Sequence, residues 1–102
     1  MAHITGGGLT ENPPRVLPDG LGCEIDLSSW TLPPVFRWLA VTAGMVEAEL
    51  LKTFNCGIGM IAMVAEDRAE ALTALLQAEG EAVTRIGRVI AGSGVTYRGR
   101  LL

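Results

Sequence analysis

Glycine limits this chain more than any other feature. Thirteen of its 102 residues are glycine. They stand where they cut the sequence into short pieces: Gly6-Gly7-Gly8, Gly20, Gly44, Gly57 with Gly59, Gly80, and Gly92-Ser93-Gly94. Glycine accepts the left-handed backbone that ends helices and closes tight turns, and it weakens the interiors of helices and strands. The elements between such stops must be short, and their patterns mix helix and strand. Neither a helical bundle nor a β-sandwich fits.

The triplet leads into a short helical stretch that ends near Pro18, followed by a turn at Pro18-Asp19-Gly20. Gly22 to Asp26 reads as a short strand, and Asp26 to Ser29 offers side chains for capping. Pro33 and Pro34 suit a first helical turn, where a missing N–H costs nothing. Val35, Trp38, Leu39 and Thr42 then recur at helical spacing up to a stop at Gly44. A second helix is expected from Val46 to about Phe54, with Val46, Leu50 and Leu51 on one face and Glu49 placed to meet Lys52.

Gly57 to Val64 is apolar and uncharged, as a buried central strand would be. The clearest helix runs from Glu66 to about Gln77, with Ala65, Ala69, Leu72, Leu75 and Leu76 on one face and Gly80 as its stop. Ala82 to Ile90 and Val95 to Leu101 read as two strands joined by the tight turn Gly92-Ser93-Gly94. The class expected is α+β.

Composition excludes several functions. With 49% hydrophobic and 19% charged residues, the chain is composed like one globular domain spanning residues 1–102. A net charge of -3 argues against nucleic acid as a partner, because backbone binding needs many lysines and arginines. The apolar run Ile58 to Ala65 falls far short of the roughly 20 residues that span a bilayer, so no membrane association is expected. No basic segment followed by an apolar run opens the chain, and a cytoplasmic setting is the default. Two cysteines, Cys23 and Cys56, and a single histidine are too few for a structural metal site. Both cysteines suit small buried positions.

Two segments carry candidate chemistry. In His3-Ile4-Thr5-Gly6-Gly7-Gly8 the glycines either let the chain pack closely or expose N–H groups to an anion such as phosphate, and the residues alone leave both readings open. His3 is a structural hydrogen-bonder or a general base. Glu11 and Asn12 follow as exposed or capping residues, and Arg15 as a phosphate partner or a surface charge. In Thr53-Phe54-Asn55-Cys56-Gly57-Ile58-Gly59-Met60, polar residues before paired glycines mark a tight turn against another strand or a ligand.

The segments AHITGGGLTENPPRVLP, SSWTLPPVFRWL and LLKTFNCGIGMIAMV, in this order, resemble the C-terminal region of phosphoribosylformylglycinamidine cyclo-ligase, also called aminoimidazole ribonucleotide synthetase. The resemblance covers essentially the whole chain, and its most specific parts are HITGGG with Glu11, Asn12, Pro14 and Arg15, and TFNCGIGM. It implies an α+β domain with a mostly antiparallel sheet packed by helices, here the latter part of the family's C-terminal domain. An amino-terminal ATP-binding domain would be missing from this chain, which by itself would be inactive and prone to self-association.

For the parent enzyme the resemblance implies an ATP-dependent ligase that closes the imidazole ring of formylglycinamidine ribonucleotide in purine biosynthesis. ATP and Mg2+ would serve the full-length enzyme, with neither held tightly by this chain. The partners implied are a nucleotide substrate and further copies of the same chain. By the same resemblance Thr5, Gly6, Gly7, Gly8, Asn12 and Arg15 would bind substrate or phosphate, and His3 and Asn55 would stand on the catalytic side. Related ATP-using synthetases of the wider superfamily, and a stand-alone phosphate-binding or interaction domain, are the alternatives.

Overall fold

A computed structural model describes residues 1–102. The order of elements is strand β1 (Ala2–His3), helix α1 (Gly8–Glu11), a 3-10 turn (Pro13–Val16), β2 (Leu21–Asp26), α2 (Pro34–Ala43), α3 (Glu47–Thr53), β3 (Met60–Ile61), α4 (Glu66–Ala78), β4 (Gly87–Ala91) and β5 (Val95–Arg98). The fold is α+β, as the mixture of helical and strand patterns implied.

Two small sheets carry it. β1 pairs antiparallel with β3, Ala2 opposite Ile61 and His3 opposite Met60. The larger sheet has the order β4-β2-β5, with β2 antiparallel to β4 and parallel to β5. The last two strands are therefore no hairpin: β2 lies between them. Their three-residue connection crosses β2 at Gly22, where a Cβ would lie 2.8 Å from the Gly94 carbonyl oxygen and 2.9 Å from the Ser93 carbonyl carbon. Sequence pattern alone joins adjacent strands by default, and here the missing side chain at 22 admits a different path.

Alternation along β2 turns Cys23 and Ile25 into the core and Glu24 and Asp26 to the outer face. Arg88 Nε and Arg98 Nε meet the same Glu24 Oε1 there, at 3.4 and 2.9 Å, so one carboxylate ties both outer strands to the middle one. The core joins Ala2, Ile4, Leu9, Ile25, Leu27, Leu32, Leu50, Leu51, Cys56 and Leu101. At the end of the chain Glu47 Oε2 accepts the N–H groups of Leu101 and Leu102 at 2.9 and 3.1 Å, which seats Leu101 in that core.

Several expectations change. Asp26 Oδ1 accepts the backbone N–H and hydroxyl of Ser28, so this stretch caps a turn and not helix α2, which starts at Pro34 behind Pro33. α2 buries Ala40 and half-buries Phe36 and Leu39, while Val35, Trp38 and Val41 form an outward stripe, Trp38 62% and Val41 80% exposed. Its sequence offers two overlapping apolar faces, and only one meets the core. Val46 is exposed as the residue before α3, and Glu49 and Lys52 form no ion pair. The expected central strand is the two-residue β3, with Met60 and Val64 exposed; it pairs only with the two-residue β1, and the middle of the larger sheet is taken by β2. α4 ends near Gly80 as expected but buries no residue.

Candidate functional site

The Gly6-Gly7-Gly8 triplet divides into different tasks. Gly8 has φ +59, and a Cβ there would strike the carbonyl oxygens of Leu51 and Phe54. Its bare Cα is what lets α1 press onto the end of α3. Gly7, φ +95, takes the left-handed conformation at the start of α1, which costs an ordinary residue about 1–2 kcal/mol. Gly6 stands in open space. Packing thus accounts for Gly8, whereas Gly6 is free to face a ligand.

Asn12 is 5% exposed. Its Nδ2 donates to the carbonyls of Gly8, Thr5 and Gly6 at 2.8, 3.2 and 3.3 Å. Its Oδ1 accepts from the Thr5 hydroxyl at 3.4 Å and from Arg15 at 3.3 Å. The chain after β1 is wound around this one carboxamide. Arg15 also lies 4.0 Å from Glu11 in an exposed pair, which contributes little to stability. Within α1, the Thr10 hydroxyl and the Tyr97 phenol are 2.9 Å apart and tie the helix to β5. Burial pushes Tyr97 up to about 12, with the Thr10 hydrogen bond opposing it.

The second motif is a turn. The Ile58 N–H donates to the Asn55 carbonyl at 3.0 Å, and both central residues, Cys56 with φ 54 and Gly57 with φ 98, have positive φ. That is the pattern of a type I′ turn, which favours Asn and Gly. Cys56 is a non-glycine in this region, and it is held there from several sides. Its thiol is buried toward the carbonyls of Leu50 and Phe54, and Trp30 Nε1 donates to its carbonyl at 3.0 Å. Burial, and then the charge of Glu47, raise the thiol to about 11. Cys56 is a protonated core residue and no nucleophile. Asn55 Oδ1 accepts the Gly57 N–H at 2.9 Å, fixing the side chain at the turn's mouth.

The two motifs meet. A shallow concavity of about 260 Å³ is lined by Ile4, Thr5 and Gly6 from one, Thr53, Phe54 and Asn55 from the other, and Phe36 from α2. The N–H groups of Thr5, Gly6, Gly7 and Asn55 make no hydrogen bond within the chain. Phe36 and Phe54 stack at 6.0 Å with a 56° tilt and give the concavity an apolar wall beside its polar loop. His3 is not part of this lining; alternation along β1 buries Ala2 and Ile4 and leaves His3 exposed, as it does Thr5. Of the residues singled out in sequence, Thr5, Gly6 and Asn55 line the concavity, Gly7 adjoins it, and Gly8, Asn12 and Arg15 stand behind the loop. Phe36 had no sequence signal beyond its place in an apolar helix. No three of the chain's His, Cys, Asp and Glu side chains gather as a metal-ligating group, so these residues do not fit a magnesium ion on their own.

The architecture is that of a small α+β domain with a glycine loop and an asparagine turn facing each other across an open cleft. Residues 1–99 match the family described as AIR synthase related protein, C-terminal domain, and the chain belongs to that family. Its fold is also similar to that of a thiamine-monophosphate kinase from Stenotrophomonas maltophilia, with a TM-score of 0.62 at 19% sequence identity. The match covers 99% of this chain and 32% of that one, so the chain spans about a third of the length of that protein. No helix is long and apolar enough to cross a membrane.

Proposed function

We propose that the chain is the C-terminal part of a phosphoribosylformylglycinamidine cyclo-ligase and that its Thr5–Gly7 loop holds a phosphate of the substrate or of ATP. The observation that supports this reading is the meeting of its two most distinctive segments at one concavity, Thr5 and Gly6 opposite Thr53 and Asn55. Backbone N–H groups aimed at developing charge stabilise phosphoryl transfer without rearranging. In the reaction proposed, the formyl amide oxygen of formylglycinamidine ribonucleotide takes the γ-phosphoryl group of ATP. The amidine nitrogen then bonds to that carbon, the C–O bond breaks, and inorganic phosphate leaves as the imidazole closes.

Within this reading Gly6 and Gly7 donate N–H groups to phosphate oxygens, and Thr5 adds a hydroxyl. His3 and Asn55 are the polar side chains nearest the reacting end. Phe36 and Phe54 offer an apolar face to the rest of the ligand. Magnesium would be held by the nucleotide phosphates and by residues outside this chain, which supplies no cage for it. Homo-oligomeric assembly and a cytoplasmic setting belong to the same proposal.

Another member of the superfamily, acting on a different phosphorylated small molecule, is the competing reading; the structurally similar protein is by name a thiamine-monophosphate kinase. The test is ATP turnover by the whole protein, with formylglycinamidine ribonucleotide and thiamine monophosphate offered separately. ADP and phosphate released together with aminoimidazole ribonucleotide are the expected products. Turnover only with thiamine monophosphate, or with neither, overturns the assignment.

A further inference from the structure

Asn12 stands behind the proposed phosphate loop and has no access to a ligand, yet it touches more of the loop than any other side chain. A trans peptide is planar, and its C=O and N–H point in opposite directions. No peptide bond in the chain is cis. The carbonyl of Thr5 faces Asn12, so the N–H of Gly6, in the same peptide plane, faces away from it. The carbonyl of Gly6 faces Asn12, so the N–H of Gly7 also faces away. These two N–H groups have no partner within the chain, and Gly6 lines the concavity. The Thr5 carbonyl also accepts the Gly8 N–H at 3.0 Å, so Asn12 shares the first of these peptides with a backbone turn, while at the Gly6 carbonyl, which turns the Gly7 N–H outward, it is the partner.

We infer that Asn12 is a positioning residue, whose carboxamide sets the direction of the Gly6 and Gly7 N–H groups for an anionic ligand that it does not itself touch. The inference rests on the phosphate-loop reading above for its ligand, but its geometric half stands alone. The chemistry requires an amide. A buried side chain must supply donors to three carbonyls and an acceptor to Thr5 and Arg15, and Asn carries both on one short branch. Aspartate has the same shape and, when ionised, no donor. Protonated, it regains one.

That difference gives the test. In the whole protein, binding of inorganic phosphate and of ATP is titrated from pH 5 to pH 8 for wild type, Asn12→Asp and Asn12→Ala, each compared with wild type at the same pH. Amide resonances of Gly6 and Gly7 are followed in parallel. The expected result is at least ten-fold weaker binding for both variants at pH 8. Binding by Asn12→Asp then recovers toward wild type as pH falls, whereas Asn12→Ala stays weak throughout. A loss of stability in Asn12→Asp would also recover on protonation, because a buried carboxylate destabilises the fold when ionised, so the folded fraction is measured at each pH and binding is compared per folded molecule. Wild-type affinity in both variants, or a flat profile for Asn12→Asp that follows Asn12→Ala, overturns the inference.

If wild type binds neither probe but the Gly6 and Gly7 resonances of Asn12→Asp still return with falling pH, the phosphate reading fails while the positioning role survives. If neither variant folds, the wild-type Asn12 side-chain amide decides. Protons that exchange slowly, with and without saturating phosphate, support positioning. Protons that become directly coupled to phosphate show a ligand contact and overturn it.

Discussion

Helices α3 and α4 reverse the order their sequences suggest. α4 is the better helix by composition, 13 residues rich in Ala, Leu and Glu, while α3 has seven residues, too few to persist alone in water. Yet Leu50 and Leu51 of α3 are fully buried, whereas Leu75 of α4 is 59% exposed and no α4 residue is buried. The difference is the facing surface. α3 receives α1 directly against its last turn through the bare Cα of Gly8; α4 carries Leu72 and Leu75, which with Val64 just ahead of the helix line only an open groove. One helix is held by packing, the other by its own propensity.

The largest expected effect tests that contrast directly. Leu50→Ala, at a site with no exposure, should cost about 2–5 kcal/mol. Leu75→Ala should stay within about 0.5 kcal/mol, as surface changes do. Chemical denaturation of the two variants gives both numbers, and equal losses would break the comparison.

Next in size is the hinge of the packed half. Gly8→Ala combines a left-handed backbone with a collision against α3, and should destabilise by about 2 kcal/mol or more. Gly6→Ala, two residues earlier, meets nothing within 4 Å and should leave the melting temperature within about 2 °C. Similar melting curves for the two would mean that α1 does not dock on α3 through Gly8.

The same contrast explains what was legible in the sequence. Element types were readable because local signals fix them: Pro33-Pro34 opens α2, Gly44 with φ 66 closes it, and alternation marks β2. Burial was not readable, because an apolar face states only what could be covered. Val35 and Trp38 obey the helical period as well as Phe36 and Ala40 do, and the fold covers the second pair. The crossing of β2 by the Gly92–Gly94 connection was hidden for a related reason, since the glycine that permits it, Gly22, lies in the other strand. Of the residues lining the concavity, Thr5, Gly6 and Asn55 were marked by their unusual motifs. The inward task of Asn12 was not, because only the folded loop shows where three carbonyls converge.

A smaller effect concerns pH in the packed half. Tyr97 and Cys56 are held neutral by burial, their values raised from 10.0 to about 12 and from 9.0 to about 11. For groups raised on folding, the stabilisation is complete below the unfolded values and is lost as pH climbs through the folded ones. Stability should therefore be level near neutrality and fall between about pH 9 and pH 12. Tyr97→Phe should lose about 1 kcal/mol at pH 7 with the Thr10 hydrogen bond, and its alkaline decline should be shallower. An alkaline limb unchanged by Tyr97→Phe would show that the phenol titrates as if exposed.

The smallest effect lies in the open half. Arg85 and Glu66 form an ion pair at 3.5 Å between the segment before β4 and the first turn of α4, with both side chains largely exposed. Arg85→Gln removes the pair while leaving Glu66 in place to favour the helix N-terminus. Exposed pairs contribute little and are screened by salt, so the change should be below about 0.5 kcal/mol at any ionic strength. The amide exchange of α4 should be unaltered too, because the helix does not depend on this contact for its form. A loss above about 1 kcal/mol that fades with added salt, accompanied by faster exchange along Glu66–Ala78, would mean that an ion pair docks α4 in place of a core, and the two helices would then differ in the kind of contact that holds them rather than in whether one exists.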